Sequence, residues 1–119
     1  MQTPSVFTTF ASSRFINREA VRASLRRCAH RLKAIHPAVR AVYLFGSFAT
    51  GRATPRSDAD IVVEIASGDP ESQRQVHDLA RTLFLEAPVP VDLFVVSSAY
   101  LATDRGVAGA VRRECLQLA

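Results

Sequence analysis

Three aspartates stand beside apolar runs in this 119-residue chain, where a charge costs most to hold. Asp58 and Asp60 are two residues apart directly ahead of residues 61–65 (IVVEI), and Asp92 lies between Val91 and Leu93 within 91–96 (VDLFVV). In extended backbone, residues i and i+2 project to one face with Cα atoms about 6.6 Å apart, so Asp58 and Asp60 can converge on one cation. If the strand holding Asp92 neighbours theirs, at the usual spacing of about 4.8 Å, a third carboxylate joins the cluster. Three bare carboxylates packed together repel and would take up protons, a conflict that a pair of divalent cations resolves. Oxygen ligands of this kind suit Mg²⁺ or Mn²⁺.

A second group complements the first. Gly46 and Ser47 follow the apolar stretch 41–45 (AVYLF). A glycine at a strand end lets backbone approach closely, and the amides of Gly46, Ser47 and Phe48, opening a short helix, can point together at an anion. The Ser47 hydroxyl adds a donor. Phosphate donors beside a carboxylate cluster form the constellation that a metal-bound nucleoside triphosphate requires. Taken singly, each part has a plainer reading: a DxD before a strand is commonly a solvated turn, and a Gly-Ser after a strand is commonly only a turn. Their combination at fixed spacing is expected by chance in about one chain in a thousand of this length.

Elements must position these residues. From Asn17, a suitable N-cap, Val21, Leu25, Cys28, Leu32 and Ile35 recur at helical spacing until His36-Pro37. Arg18, Arg22 and Arg26 stack along one edge of that helix and form a positive face. Strands are expected at 41–45, 61–65 and 91–96, the last framed by Pro88 and Pro90. A one-turn helix and a loop around Gly51 and Pro55 fill 48–57, and a helix opening near Pro70 carries Val76, Leu79, Ala80, Leu83 and Phe84. A short turn at Tyr100-Leu101 and a last helix near 107–116 follow. Residues 1–16 are expected to be a loosely held lead-in and 17–119 a single domain. The order is that of an α/β or α+β sheet with helices packed on it.

The string Gly46-Ser47, ten residues, Asp58-x-Asp60 resembles the signature of the polymerase-β-like nucleotidyltransferase superfamily. VYLFGSFATGRATPRSDADIVVEI, followed by VDLFVV, is similar to its minimal nucleotidyltransferase (MNT) branch, small proteins often found as antitoxin partners of HEPN-domain toxins. The resemblance implies the polymerase-β-like nucleotidyltransferase fold, a mixed β-sheet flanked by helices. It also implies two Mg²⁺ ions and transfer of a nucleoside monophosphate, AMP from ATP, with release of pyrophosphate. Carried over, Asp58 and Asp60 bridge the metals, Asp92 binds the catalytic metal and helps activate the acceptor hydroxyl, and Gly46 with Ser47 holds the triphosphate. Arg52 and Arg56 flank the loop and could reach phosphates, although loop arginines are often merely solvated; Ser57 fits the family pattern or caps a turn. By the same resemblance the acceptor is a hydroxyl, a tyrosine of a cognate HEPN toxin. Two rivals stay open: an antitoxin that acts by occlusion with its nucleotide site idle, and transfer to a small molecule such as an aminoglycoside.

Composition bounds the rest. Apolar residues make up 48% and charged residues 22%, with 5 Gly and 6 Pro, which suits a globular core and excludes disordered and fibrous classes. Residues 1–40 carry eight basic side chains against Glu19 alone, whereas the remaining residues carry seven basic and ten acidic ones. Such a basic front leaves nucleic acid open as a partner. No apolar run approaches the roughly 20 residues of a membrane span, and the start lacks a signal-like pattern. Cys28 and Cys115 lie far apart without a zinc-type spacing, and both are expected to be reduced, buried thiols of a cytoplasmic protein. His30, His36 and His77 are scattered, and Tyr43 and Tyr100 are expected to serve packing.

Overall fold

The computed structural model describes residues 17–54 and 56–119; the expected lead-in at 1–16 lies outside them. The chain runs α1 (Arg18–Ile35), β1 (Val39–Phe45), α2 (Ser47–Thr50), β2 (Ala59–Ile65), α3 (Pro70–Phe84), β3 (Val91–Ser97), α4 (Ser98–Leu101), α5 (Gly106–Arg113) and β4 (Cys115–Gln117). The four strands form one sheet in the order β3-β2-β1-β4. β1 is antiparallel to β2 and β4, and β2 is parallel to β3, so the sheet is mixed and the α+β expectation holds.

One face of the sheet is closed by the two long helices. Val21, Leu25, Cys28 and Leu32 of α1, together with Val76, Ala80, Leu83 and Phe84 of α3, meet Val42, Leu44, Ile61, Val63 and Ile65 in the main core. Each fully buried aliphatic side chain there contributes about 1.5–3 kcal/mol. Asn17 caps α1 by accepting from the Ala20 amide at 3.0 Å, and Asp69 caps α3 by accepting from Ser72 N–H at 2.9 Å. Ile35, expected on the apolar stripe, is 56% exposed, because it ends α1 one turn beyond the last buried position. Among the described residues the opposite face is covered by the short helices, with Val107, Ala110 and Val111 of α5 and Leu101 of α4 set against Tyr43, Phe45, Val62, Phe94 and Val96. Beside that layer Asp58 and Asp92 stay exposed and Asp60 half-buried.

The C-terminus corrects the sequence reading. The helix expected to reach residue 116 stops at Arg113, and Cys115–Gln117 add a fourth strand to β1, with Leu116 opposite Leu44. Leu118 is 3% exposed, and its amide donates to Val42 O at 2.7 Å. Pairing with the open edge of β1 outweighs the helical pattern of a segment too short to hold a helix alone. The Tyr100-Leu101 turn is the single-turn helix α4, capped by the Ser97 hydroxyl. Cys28 is buried as expected and burial pushes its thiol pKa up, but Cys115 is exposed because it lies on the outermost strand.

Candidate active site

The parallel register of β2 and β3 sets Asp60 directly opposite Asp92. Paired residues project to the same face, so the two carboxylates stand side by side at about the interstrand spacing of 4.8 Å. Asp58 stands two residues before Asp60, at the entry to β2. All three lie on the sparsely covered face or at its edge: Asp60 is half-buried, and Asp58 and Asp92 are exposed. Burial, and then the negative charges of Asp92 and Asp58, hold the Asp60 carboxyl above the usual carboxylate range. Among the described residues no three His, Cys, Asp or Glu side chains lie close enough together to hold a metal ion between them. The carboxylates share a corner without gathering on one point, as like charges facing one another must.

Gly46 forms the other wall. Its φ of 77° and ψ of −154° fall in a region open essentially only to glycine. A Cβ at this position would strike Asp60 Oδ2. The residue type is thus set both by its backbone angles and by the closeness of the carboxylate. Gly46 O receives the amides of Ala49 at 3.0 Å and Thr50 at 3.2 Å, while Ser47 and Phe48 occupy the first turn of α2, where N–H groups have no intrahelical acceptor. Gly51, in the left-handed conformation, ends the turn.

The chemistry of the donors, though not a formed cage, suits a divalent cation. An anion held at the Gly46-Ser47 backbone would face the Asp60 carboxylate at contact range, and two such groups coexist only with positive charge between them. Asp58, Asp60 and Asp92 are hard oxygen donors of the right kind for Mg²⁺ or Mn²⁺.

The remaining candidates separate. Arg52 is exposed, donates from Nε to Thr50 Oγ1 at 3.1 Å and pairs with Glu114 at 3.3 Å, beside Gly46. The Ser57 hydroxyl accepts from the Thr54 amide at 2.8 Å, which makes it the closure of the loop leading into Asp58. Arg56 is an exposed turn residue. Two residues of the positive face have other occupations: Arg22 donates from Nε and Nη2 to Phe48 O at 3.0 and 2.8 Å, and Arg18 Nη2 donates to Ala53 O at 2.9 Å. These arginines bind α1 to α2 and the loop after it, and only Arg26 of the three remains outside that bracing as a solvated cation. Sequence spacing gave them a shared edge but could not show that this edge faces α2. His36 accepts from the Ala38 amide, Tyr43 donates to Glu64 and Tyr100 to Arg105 O, all structural contacts.

A mixed sheet with carboxylates on adjacent parallel strands and a Gly-Ser turn against them is the architecture of a nucleotidyltransferase. The profile of the nucleotidyltransferase domain family matches residues 25–108, more than half of the chain, and the chain belongs to that family. No curated protein sequence matches it. Among solved structures, a toxin–antitoxin complex with AMP-PNP is 27% identical over 79% of this chain and 72% of that one, with a TM-score of 0.57. An MNT antitoxin in complex with a tri-AMPylated Shewanella oneidensis HEPN toxin matches at 22% identity, 86% and 71% coverage and a TM-score of 0.53. A candidate nucleotidyltransferase from Sulfolobus solfataricus matches at 18% identity, 69% and 71% coverage and a TM-score of 0.56. At these identities the last two speak for the fold alone, and the fold is the one the MNT resemblance implied.

Proposed function

We propose that this nucleotidyltransferase moves AMP from ATP onto a hydroxyl of a HEPN-type toxin, a tyrosine, and thereby acts as the antitoxin of a cytoplasmic pair. The observation that carries the reading is the corner itself: Asp60 opposite Asp92 across a parallel strand pair, with Gly46 closed against Asp60. The likeness to a toxin–antitoxin complex holding AMP-PNP supports the nucleotide and the partner.

In this reading Asp58, Asp60 and Asp92 hold two divalent cations, which when bound neutralise the phosphates and polarise the α-phosphorus. The Gly46 and Ser47 amides with the Ser47 hydroxyl orient the triphosphate, so that the bridging oxygen to the pyrophosphate lies in line with the incoming acceptor. The acceptor oxygen bonds to the α-phosphorus as the bond to pyrophosphate breaks. Asp92, exposed on the outermost strand, is the carboxylate that an acceptor arriving from outside can reach, and it takes the hydroxyl proton. Ser57 acts on the site through the loop it closes.

The test is to incubate the protein with its co-purifying partner, α-labelled ATP and Mg²⁺. Label should pass to the partner and its toxicity should fall. An Asp58→Ala, Asp60→Ala double variant that still neutralises the partner would instead establish occlusion, and label found on a small molecule alone would redirect the acceptor.

A further inference from the structure

Next to the carboxylate corner lies a cavity of about 430 Å³ lined by Phe45, Gly46, Arg52, Ala110, Arg113 and Glu114. Its place follows from the sheet register: Asp92 pairs with Asp60, Asp60 with Phe45, and Phe45 with Cys115, in one row across four strands. The row projects to one face, so the Phe45 floor of the cavity is one strand, about 4.8 Å, from Asp60. Gly46 belongs to both the cavity and the corner. Helix α2 has no basic residue among Ser47–Thr50, so the cations lining this space come from elsewhere: Arg52 from the loop after α2, and Arg113 from the last turn of α5. Glu114, next to Arg113 in the chain, also lines the cavity, and its carboxylate pairs with Arg52 at 3.3 Å.

We infer that this cavity takes the β- and γ-phosphates of the nucleotide, gripped by Arg52 and Arg113, and that Glu114 is a built-in competitor which occupies Arg52 until a triphosphate displaces it. The inference rests on the nucleotidyltransferase reading and deepens it. Three features carry it. The lining holds two guanidiniums against one carboxylate, which favours a polyanion over a neutral nucleoside. The space is continuous with the backbone turn that faces the carboxylates. The Arg52–Glu114 pair is exposed on both sides, 73% and 58%, and exposed pairs of this kind are weak enough for a multiply charged ligand to exchange. A terminal segment thereby enters the site: α5 and the residue that follows it supply one arm and the guard, neither of which lies in the Gly-Ser to DxD stretch.

The experiment is calorimetric titration of the full chain with ATP, AMP and inorganic tripolyphosphate in Mg²⁺, for wild type, Arg113→Ala, Arg113→Lys and Glu114→Gln. All the altered side chains are exposed, so the fold is retained. Arg113→Ala should weaken ATP and tripolyphosphate about tenfold and leave AMP within about twofold, with Arg113→Lys intermediate. Glu114→Gln should tighten ATP a few-fold. Unchanged ATP affinity in Arg113→Ala overturns the inference while leaving the nucleotidyltransferase reading intact, and equal weakening of ATP and AMP overturns it by assigning the cavity to the nucleoside. Wild-type protein that binds neither ATP nor tripolyphosphate overturns the inference and the reading together.

Discussion

Gly46 and Asp60 show how residue type and chemistry are joined at this site. Gly46→Ala meets two penalties, a backbone conformation foreign to any residue with a Cβ and a collision with Asp60 Oδ2. It should destabilise the protein by about 1–3 kcal/mol in urea denaturation and weaken ATP binding beyond what that loss explains. Asp60 carries the opposite sign. Its folded pKa is raised, by burial first and by Asp92 and Asp58 next, so the charged carboxylate is a cost to the cation-free fold. That cost is absent at acid pH, where the group is protonated in both states, and grows as pH rises from the ordinary carboxylate range through the raised folded value. Asp60→Asn should therefore raise the melting temperature by a few °C at pH 7 without divalent cations, lose that gain near pH 3, and abolish nucleotidyl transfer. The DxD pair and Asp92 could be found in the sequence because charge beside apolar strands has no cheap structural use. The roles inferred for Arg113 and Glu114 could not be read there, since both are ordinary exposed residues that only the packing of α5 sets beside Gly46.

At the scale of elements, the site depends on how α1 is tied to α2. Arg22 makes two hydrogen bonds to the one carbonyl of Phe48, whose side chain is fully buried, and so fixes the short helix from both sides. Arg22→Ala should cost about 1–2 kcal/mol and raise the KM for ATP more than it lowers kcat, with Arg22→Lys recovering only part, because an ammonium lacks the fork that makes both bonds. Helical periodicity gave α1 and α3, and apolar runs bounded by turn residues gave three strands, each within a few residues, because each buries a regular face. The periodicity of a short C-terminal run gave no such guide: where α5 ends and β4 begins is decided by the free edge of β1, whose paired residues lie 70 to 74 positions earlier in the chain. Leu118→Ala tests that pairing, with an expected loss of about 2–3 kcal/mol in urea denaturation from a position only 3% exposed.

Among the described residues one face of the sheet is closed by α1 and α3 and the other is covered by the short helices α4 and α5, beside which Asp58 and Asp92 stay exposed. That asymmetry suits an enzyme whose acceptor is carried by another protein, since Asp92 on the outer strand is reached without opening the core. Of the basic front of the sequence, Arg18 and Arg22 are turned to α2 and the loop after it, while Arg26 and Arg27 stay exposed. Among the described residues no helix is long and apolar enough to cross a membrane. Charge counting along the chain found the excess but not its use, which depends on a tertiary contact. The central claim is that the three aspartates and the Gly46-Ser47 turn together hold a metal-bound triphosphate. Its most direct test is Mn²⁺ binding by electron paramagnetic resonance, with and without ATP, in wild type and in the Asp58→Ala, Asp60→Ala double variant. The account predicts ATP-dependent Mn²⁺ uptake by wild type that falls at least about tenfold in the variant; equal uptake by both proteins, or none by wild type at saturating ATP, would contradict it.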